Sequence, residues 1–174
     1  LVRNMISVEG GRFVMGYAAG QSLDHSDAEK PAYKEALNSF KICKYPVTQA
    51  QWQAVMGTNP SSSTKHPECP VEMVSWEDVQ IFLRKINDMT GGRYRLPTEA
   101  EWTFAARGGN QSRGYKYAGS NNLEDVGWYR NNSRSKTHVV RSKQPNELGL
   151  YDMAGNVWEW CSDWYDENYF KTTV

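Results

Sequence analysis

The chain has 174 residues, enough for one domain with a buried core. Its 20 basic and 20 acidic residues cancel, so no strong field favours nucleic acid or an anionic membrane surface. No apolar run approaches the roughly 20 residues of a membrane-spanning helix, and an odd count of three cysteines fits no complete disulfide framework. One bridge plus a free thiol remains open. Leu1-Val2-Arg3-Asn4 lacks the apolar core of a signal peptide, which a mature chain would have lost. An extracellular or cell-surface location is the expectation, although the cysteines do not settle the compartment.

Met5-Ile6-Ser7-Val8 and Arg12-Phe13-Val14-Met15 flank Gly10-Gly11 and predict a hairpin turning at the glycine pair. Residues 18–30 are polar and predict a surface loop. His25 with Asp24 and Asp27 there is a weak metal signal. Residues 32–45 alternate in part, through Leu37, Phe40 and Ile42, and predict a strand.

Thr48 with Gln51 predicts a capping box at the start of a first helix. Trp52, Val55 and Met56 form its inward stripe, and Gly57 ends it. Residues 58–70 are too rich in Pro and Ser to continue a helix. Ser75 caps a second helix, with Asp78 three positions on. Val79, Phe82, Leu83, Ile86 and Met89 give it a core stripe, with Trp76 on the same side, and Gly91-Gly92 ends it.

Thr98 and Glu101 predict a capping box on a third helix, which Gly108-Gly109 terminates. Arg95, Glu99, Glu101 and Arg107 are read as caps and ion pairs rather than a catalytic cluster. Beyond Gly109 the chain reads as irregular, with Tyr115, Tyr117, Trp128 and Tyr129 among Asn, Ser and Gly. These aromatics either contact sugars, peptides or proteins or pack on the core. Val139-Val140 suggests a short strand. The sequence contains no internal repeat, low-complexity linker, phosphate-binding glycine loop, helical pair of histidines or C-x-x-C. His25, His66 and His138 sit in polar surroundings and read as exposed.

The densest stretch is 149–164, Gly-Leu-Tyr-Asp-Met-Ala-Gly-Asn-Val-Trp-Glu-Trp-Cys-Ser-Asp-Trp. Its three tryptophans predict burial, with a partner for each indole N–H. A turn at Gly155 would bring the Asp152 and Glu159 carboxylates and the Gly155 and Val157 carbonyls around one hard cation. The other reading is local: the carboxylates satisfy indole and backbone N–H groups in a buried turn. Cys161 follows at once. Glu159 and Asp163 beside it would raise its thiol pKa, so it reads as a packed small residue and not a nucleophile.

This stretch resembles the signature of the formylglycine-generating enzyme, or sulfatase-modifying factor, family. So do Arg95-Leu96-Pro97-Thr98-Glu99-Ala100-Glu101-Trp102 with Ala105-Ala106-Arg107-Gly108-Gly109 and, more weakly, 10–16 and 45–52. The resemblance covers nearly the whole chain and implies an α+β, C-type-lectin-like fold of that family's type. Few helices, short antiparallel strands and much irregular structure are expected.

It also implies a structural calcium held by the side chains of Asp152 and Glu159 and the carbonyls of Gly155 and Val157. The family's other calcium site matches residues 125–128, where Val126 replaces a polar ligand. Oxidising members use a copper-binding cysteine pair, in a segment after the Trp-Glu-Trp motif that holds an Arg-Gly-Gly-Ser-Trp-like run. The sequence ends at Thr172-Thr173-Val174 before such a run, and Cys43, Cys69 and Cys161 do not match the pair. The resemblance thus implies a single domain over residues 1–174 that lacks its C-terminal segment, with no catalytic residue to assign.

Three functions follow from it. The first is a non-enzymatic scaffold for a protein or glycan ligand, such as the variable proteins of diversity-generating retroelements. The second is a copper- and oxygen-dependent oxidase, converting a sulfatase cysteine to formylglycine, whose cysteines lie beyond residue 174. The third, ranked low, is an iron-dependent sulfoxide synthase. Ligand identity and oligomeric state are not legible.

Overall fold

The computed structural model describes residues 4–16 and 32–166. The fold is α+β, with few helices and short antiparallel strands. The strands are β1 (Met5–Val8), β2 (Gly11–Met15), β3 (Tyr33–Leu37) and β4 (Phe40–Cys43). The helices are α1 (Gln49–Met56), α2 (Trp76–Thr90), α3 (Glu99–Ala106) and the single-turn α4 (Leu123–Val126). None of them is long and apolar enough to cross a membrane.

The expected hairpin at Gly10-Gly11 does not form. Instead β1 pairs with β4 and β2 with β3 in one constant register, from Met5 opposite Cys43 to Met15 opposite Tyr33. The single strand expected over residues 32–45 is likewise two, interrupted at Asn38-Ser39. The glycines serve close approach rather than a turn. A Cβ on Gly10 would lie 2.4 Å from the Leu37 carbonyl oxygen and 2.7 Å from Ser39 N. One on Gly11 would meet Asn110 Oδ1 at 2.3 Å and Phe104 at 3.0 Å. The polar stretch with Asp24, His25 and Asp27 lies outside the described residues.

The helix starts follow the sequence. Thr48, Ser75 and Thr98 each close a reciprocal capping box, with Gln51, Asp78 and Glu101. α1 and α2 pack Trp52 flat on Phe82, ring centroids 4.9 Å apart, with Ile86 beside them. Met89 departs from the expected stripe and is 66% exposed. Trp76 also leaves that face: its indole N–H donates to the Cys161 carbonyl at 3.3 Å and its ring stacks on Trp164.

A second core joins α3 to the ribbon. Val8, Phe104, Ala105, Leu150 and Met153 are buried there, with Phe13, Phe40 and Ile42 against them. Asn146 closes the end of α3. Its amide donates to the Ala105 and Ala106 carbonyls at 2.7 and 3.2 Å, and its Oδ1 accepts from Leu148 and Leu150 N–H. Val139-Val140 forms no strand and joins the fold through one backbone bond, from Val140 N–H to Glu68 O.

Candidate functional site

The loop 149–160 is built on left-handed backbone. Asp152 and Asn156 have φ of 62° and 72°, and Gly155 has φ of 149°. Asn and Asp tolerate the first region because their short polar side chains bond locally. At Gly155 a Cβ would lie 2.2 Å from the Trp128 carbonyl oxygen, so only glycine fits. The next amide, Asn156 N–H, donates to that same oxygen at 2.8 Å.

Asp152 is buried. Its Oδ2 accepts from Arg141 N–H at 2.9 Å and its Oδ1 from Asn156 Nδ2 at 3.1 Å. Burial raises its carboxyl pKa, and those two donors oppose the rise. Each carboxylate oxygen has a second acceptor direction left. The Gly155 carbonyl already accepts from Val157 N–H at 3.0 Å.

Glu159 faces an apolar cleft. Crowding by the surrounding protein pushes its carboxyl up to about 7, and the Asp152 charge adds to the rise. Its side chain nevertheless has the accessibility of an exposed residue, so water in the cleft moderates the effect. The indole N–H of Trp102 lies toward Glu159 but is buried without a hydrogen-bond partner among the described residues. No group of three or more His, Cys, Asp or Glu side chains is placed to hold a metal ion among the described residues. A cation at this turn would therefore draw on backbone carbonyls. At residues 125–128, Asp125 is engaged by Ser120 and Asn122, and Val126 is buried.

The expectation of three buried indoles fails. Trp158 and Trp164 are 102% and 93% exposed, and Trp160 is 49% exposed, its N–H donating to the Val74 carbonyl at 3.1 Å. Trp158 and Trp160 line a cleft of about 610 Å³ that separates the two cores. Tyr165 is exposed as well, at 86%.

The thiols are free and held protonated. Burial and the Glu99, Asp163 and Glu159 carboxylates push Cys161 up to about 12. Burial raises Cys43 and Cys69 as well. The caps-and-ion-pairs reading is met at Arg95, which grips Glu101 with two bonds of 2.6 and 2.7 Å. Arg107 donates to the Val14 and Gly16 carbonyls at 2.7 and 2.9 Å. His138 is not simply exposed. Its ring stacks on Trp128 at 3.8 Å, and Asn156 brackets its backbone. Sequence reasoning missed Asn146 and Asn156. Their one signal was an Asn set among Gly and apolar residues.

These features place the molecule among the α+β domains of the sulfatase-modifying type. The family model of the sulfatase-modifying factor enzyme 1-like domain matches residues 1–174, and the chain belongs to that family. It is 34% identical to the chaperone protein LppX of Paenibacillus barcinonensis, over 93% of this chain and 72% of that protein. It is 30% identical to the formylglycine-generating enzyme of Streptomyces coelicolor, over 97% of this chain and 71% of that enzyme. Among solved structures, Treponema denticola variable protein 1 superposes with a TM-score of 0.77 at 30% identity, covering 93% of this chain and 73% of that one.

Proposed function

We propose that this chain is a non-enzymatic scaffold that binds a protein or another ligand on its aromatic face. The observation that carries this is the exposure of Trp158 and Trp160 on the apolar cleft, with Trp164 and Tyr165 also exposed a few residues on. Large rigid aromatics left on the surface in one patch mark interaction sites. The likeness to a variable protein supports the same reading.

Within this reading Asp152, Glu159 and the carbonyls of Gly155 and Val157 hold a structural calcium. The donor set suits a hard cation: all-oxygen, with two carboxylates whose mutual repulsion a divalent charge would offset. The second reading is the copper-dependent oxidase, favoured by identity to the Streptomyces coelicolor enzyme. Incubation of the natural protein, with any sequence that follows residue 174, with a cysteine-containing sulfatase peptide, copper and oxygen separates the two. Unchanged peptide mass supports the scaffold, and oxygen-dependent conversion to formylglycine overturns it.

A further inference from the structure

Asn156 sits at the centre of a strained turn. Its φ is 72°, and Val157 N–H donates to the Gly155 carbonyl at 3.0 Å across it. A bond between residues two apart around a positive φ is the rare form of the γ-turn. Such backbone persists only where its surroundings hold it, and it collects at sites that bind. Here the holding groups belong to the segment 127–141. A Cβ on Gly127 would lie 2.4 Å from the Ala154 carbonyl oxygen, and one on Gly155 would lie 2.2 Å from that of Trp128. The two backbones therefore touch, and Asn156 N–H donates to the Trp128 carbonyl at 2.8 Å. The Gly155 C=O and the Asn156 N–H share one planar peptide and point opposite ways. Fixing that N–H on Trp128 thus aims the Gly155 carbonyl away from it.

The side chain does more than hold the turn. Closing on His138 takes the acceptor Oδ1, at 2.9 Å, and one Nδ2 hydrogen, at 3.0 Å. An amide nitrogen carries two hydrogens. The other reaches Asp152 Oδ1 at 3.1 Å, a bond that the attachment to His138 does not need. With Arg141 N–H on Oδ2 at 2.9 Å, it leaves the Asp152 carboxylate one orientation. Burial raises the pKa of that carboxyl, and both donors oppose the rise. They thereby favour the charged form, which is the one a cation takes.

We propose that Asn156 is the positioning residue of the calcium site: it presets the Asp152 carboxylate and aims the Gly155 carbonyl, so that affinity for calcium depends on it. The inference rests on the calcium reading. An Asn156 that served the fold alone would be felt in stability and not in the affinity of the folded protein. Outer partners of metal-binding carboxylates act on affinity itself, because they fix the ligand before the metal arrives.

The test is calcium titration calorimetry on the natural protein and three variants, at a temperature where each is folded by circular dichroism. Asn156→Ala should bind calcium about 10- to 100-fold more weakly than the parent. Gly10→Ala is a destabilised control, since its Cβ strikes the backbone of residues 37–39 at 2.4 to 2.7 Å instead of the loop, and it should keep the parental affinity. The Asp152→Ala, Glu159→Ala double variant supplies the blank. Should Asn156→Ala not fold, the parent decides, carrying isotope-labelled asparagine and read by NMR. Its Asn156 side-chain amide should exchange slowly before calcium is added and shift when calcium binds.

Equal affinity of Asn156→Ala and the parent overturns the inference and leaves the calcium reading standing. An equal loss in Gly10→Ala overturns it too, because general instability would then explain both. So does a side-chain amide that exchanges like a free one or ignores calcium. No binding by the parent, or undiminished binding by the double variant, overturns the calcium reading and the inference with it.

Discussion

The side chain of Asn156 closes on the backbone of His138 from both sides: Oδ1 accepts the His138 N–H at 2.9 Å and Nδ2 donates to its carbonyl at 3.0 Å. The same Nδ2 reaches Asp152 Oδ1 at 3.1 Å. One amide thereby ties the segment before Val139 to the loop that carries the candidate calcium ligands. Asn156→Ala should lower stability by about 2 kcal/mol, since it leaves two backbone groups and one oxygen of the buried Asp152 carboxylate without their partner. Asn156→Gly relieves the left-handed backbone but restores no bond, so it should recover only part of the loss. Equal stability of the alanine variant and the parent in urea titration would refute this.

Gly10 is predicted to resist substitution for a reason unrelated to turns. A Cβ there meets only backbone, at 2.4 to 2.7 Å, and backbone in a paired ribbon cannot rotate aside. Gly10→Ala should destabilise by about 2 kcal/mol or more. Gly57→Ala, at an α1 end where nothing lies within 4 Å, should cost about 1 kcal/mol from its left-handed φ alone. Thermal melts of the two variants side by side decide it, and a milder effect at Gly10 than at Gly57 would sink the packing account.

The Arg95–Glu101 pair gives a pH dependence with a definite sign. Hydrogen bonding from Arg95, more than any other contact, holds the Glu101 carboxyl below its ordinary value of 4.5. A carboxyl lowered in the folded state adds stability above its unfolded pKa and loses it as pH falls through the folded one. The parent should therefore lose stability as pH drops below about 4.5, the ordinary carboxylate region. Glu101→Gln should flatten that limb and cost about 1 kcal/mol at neutral pH, modest because Arg95 is 59% exposed. Identical acid limbs for the two proteins would contradict the assignment.

Calcium should stabilise the chain, because a ligand that binds only the folded state raises stability with its concentration. Excess chelator should lower the melting temperature of the parent and leave the Asp152→Ala, Glu159→Ala double variant unmoved. A variant that still responds to chelator would remove these residues from the site.

The thiols should be sluggish. With Cys161 pushed up to about 12 and Cys43 and Cys69 raised by burial, alkylation at neutral pH should run well below the rate of a free thiol. Rapid labelling at any one position, read by peptide mass, would count against a passive role for that cysteine.

Local chemistry was legible in the sequence. The three capping boxes, the glycine ends of α1 and α2, the Trp52 and Phe82 stripes and the ion-pairing of Arg95 each depend on residues a few positions apart. The left-handed turn at Gly155 belongs with them, since the local glycine already implied a sharp bend.

Partnership across the chain was decided only in three dimensions. Gly10-Gly11 has the composition of a turn, yet its neighbours are Leu37, Ser39, Phe104 and Asn110, all distant in sequence. Three tryptophans in seven residues signal burial. Whether an indole is covered depends on which element packs over it, and here Trp158 faces outward on a cleft and Trp164 is exposed too. Asn146 and Asn156 carry much of the loop's order through bonds to Ala105, Leu150 and His138, which no spacing rule reaches. Hydrogen bonds within a helical turn are set by sequence distance, whereas packing and loop closure are set by which surfaces meet.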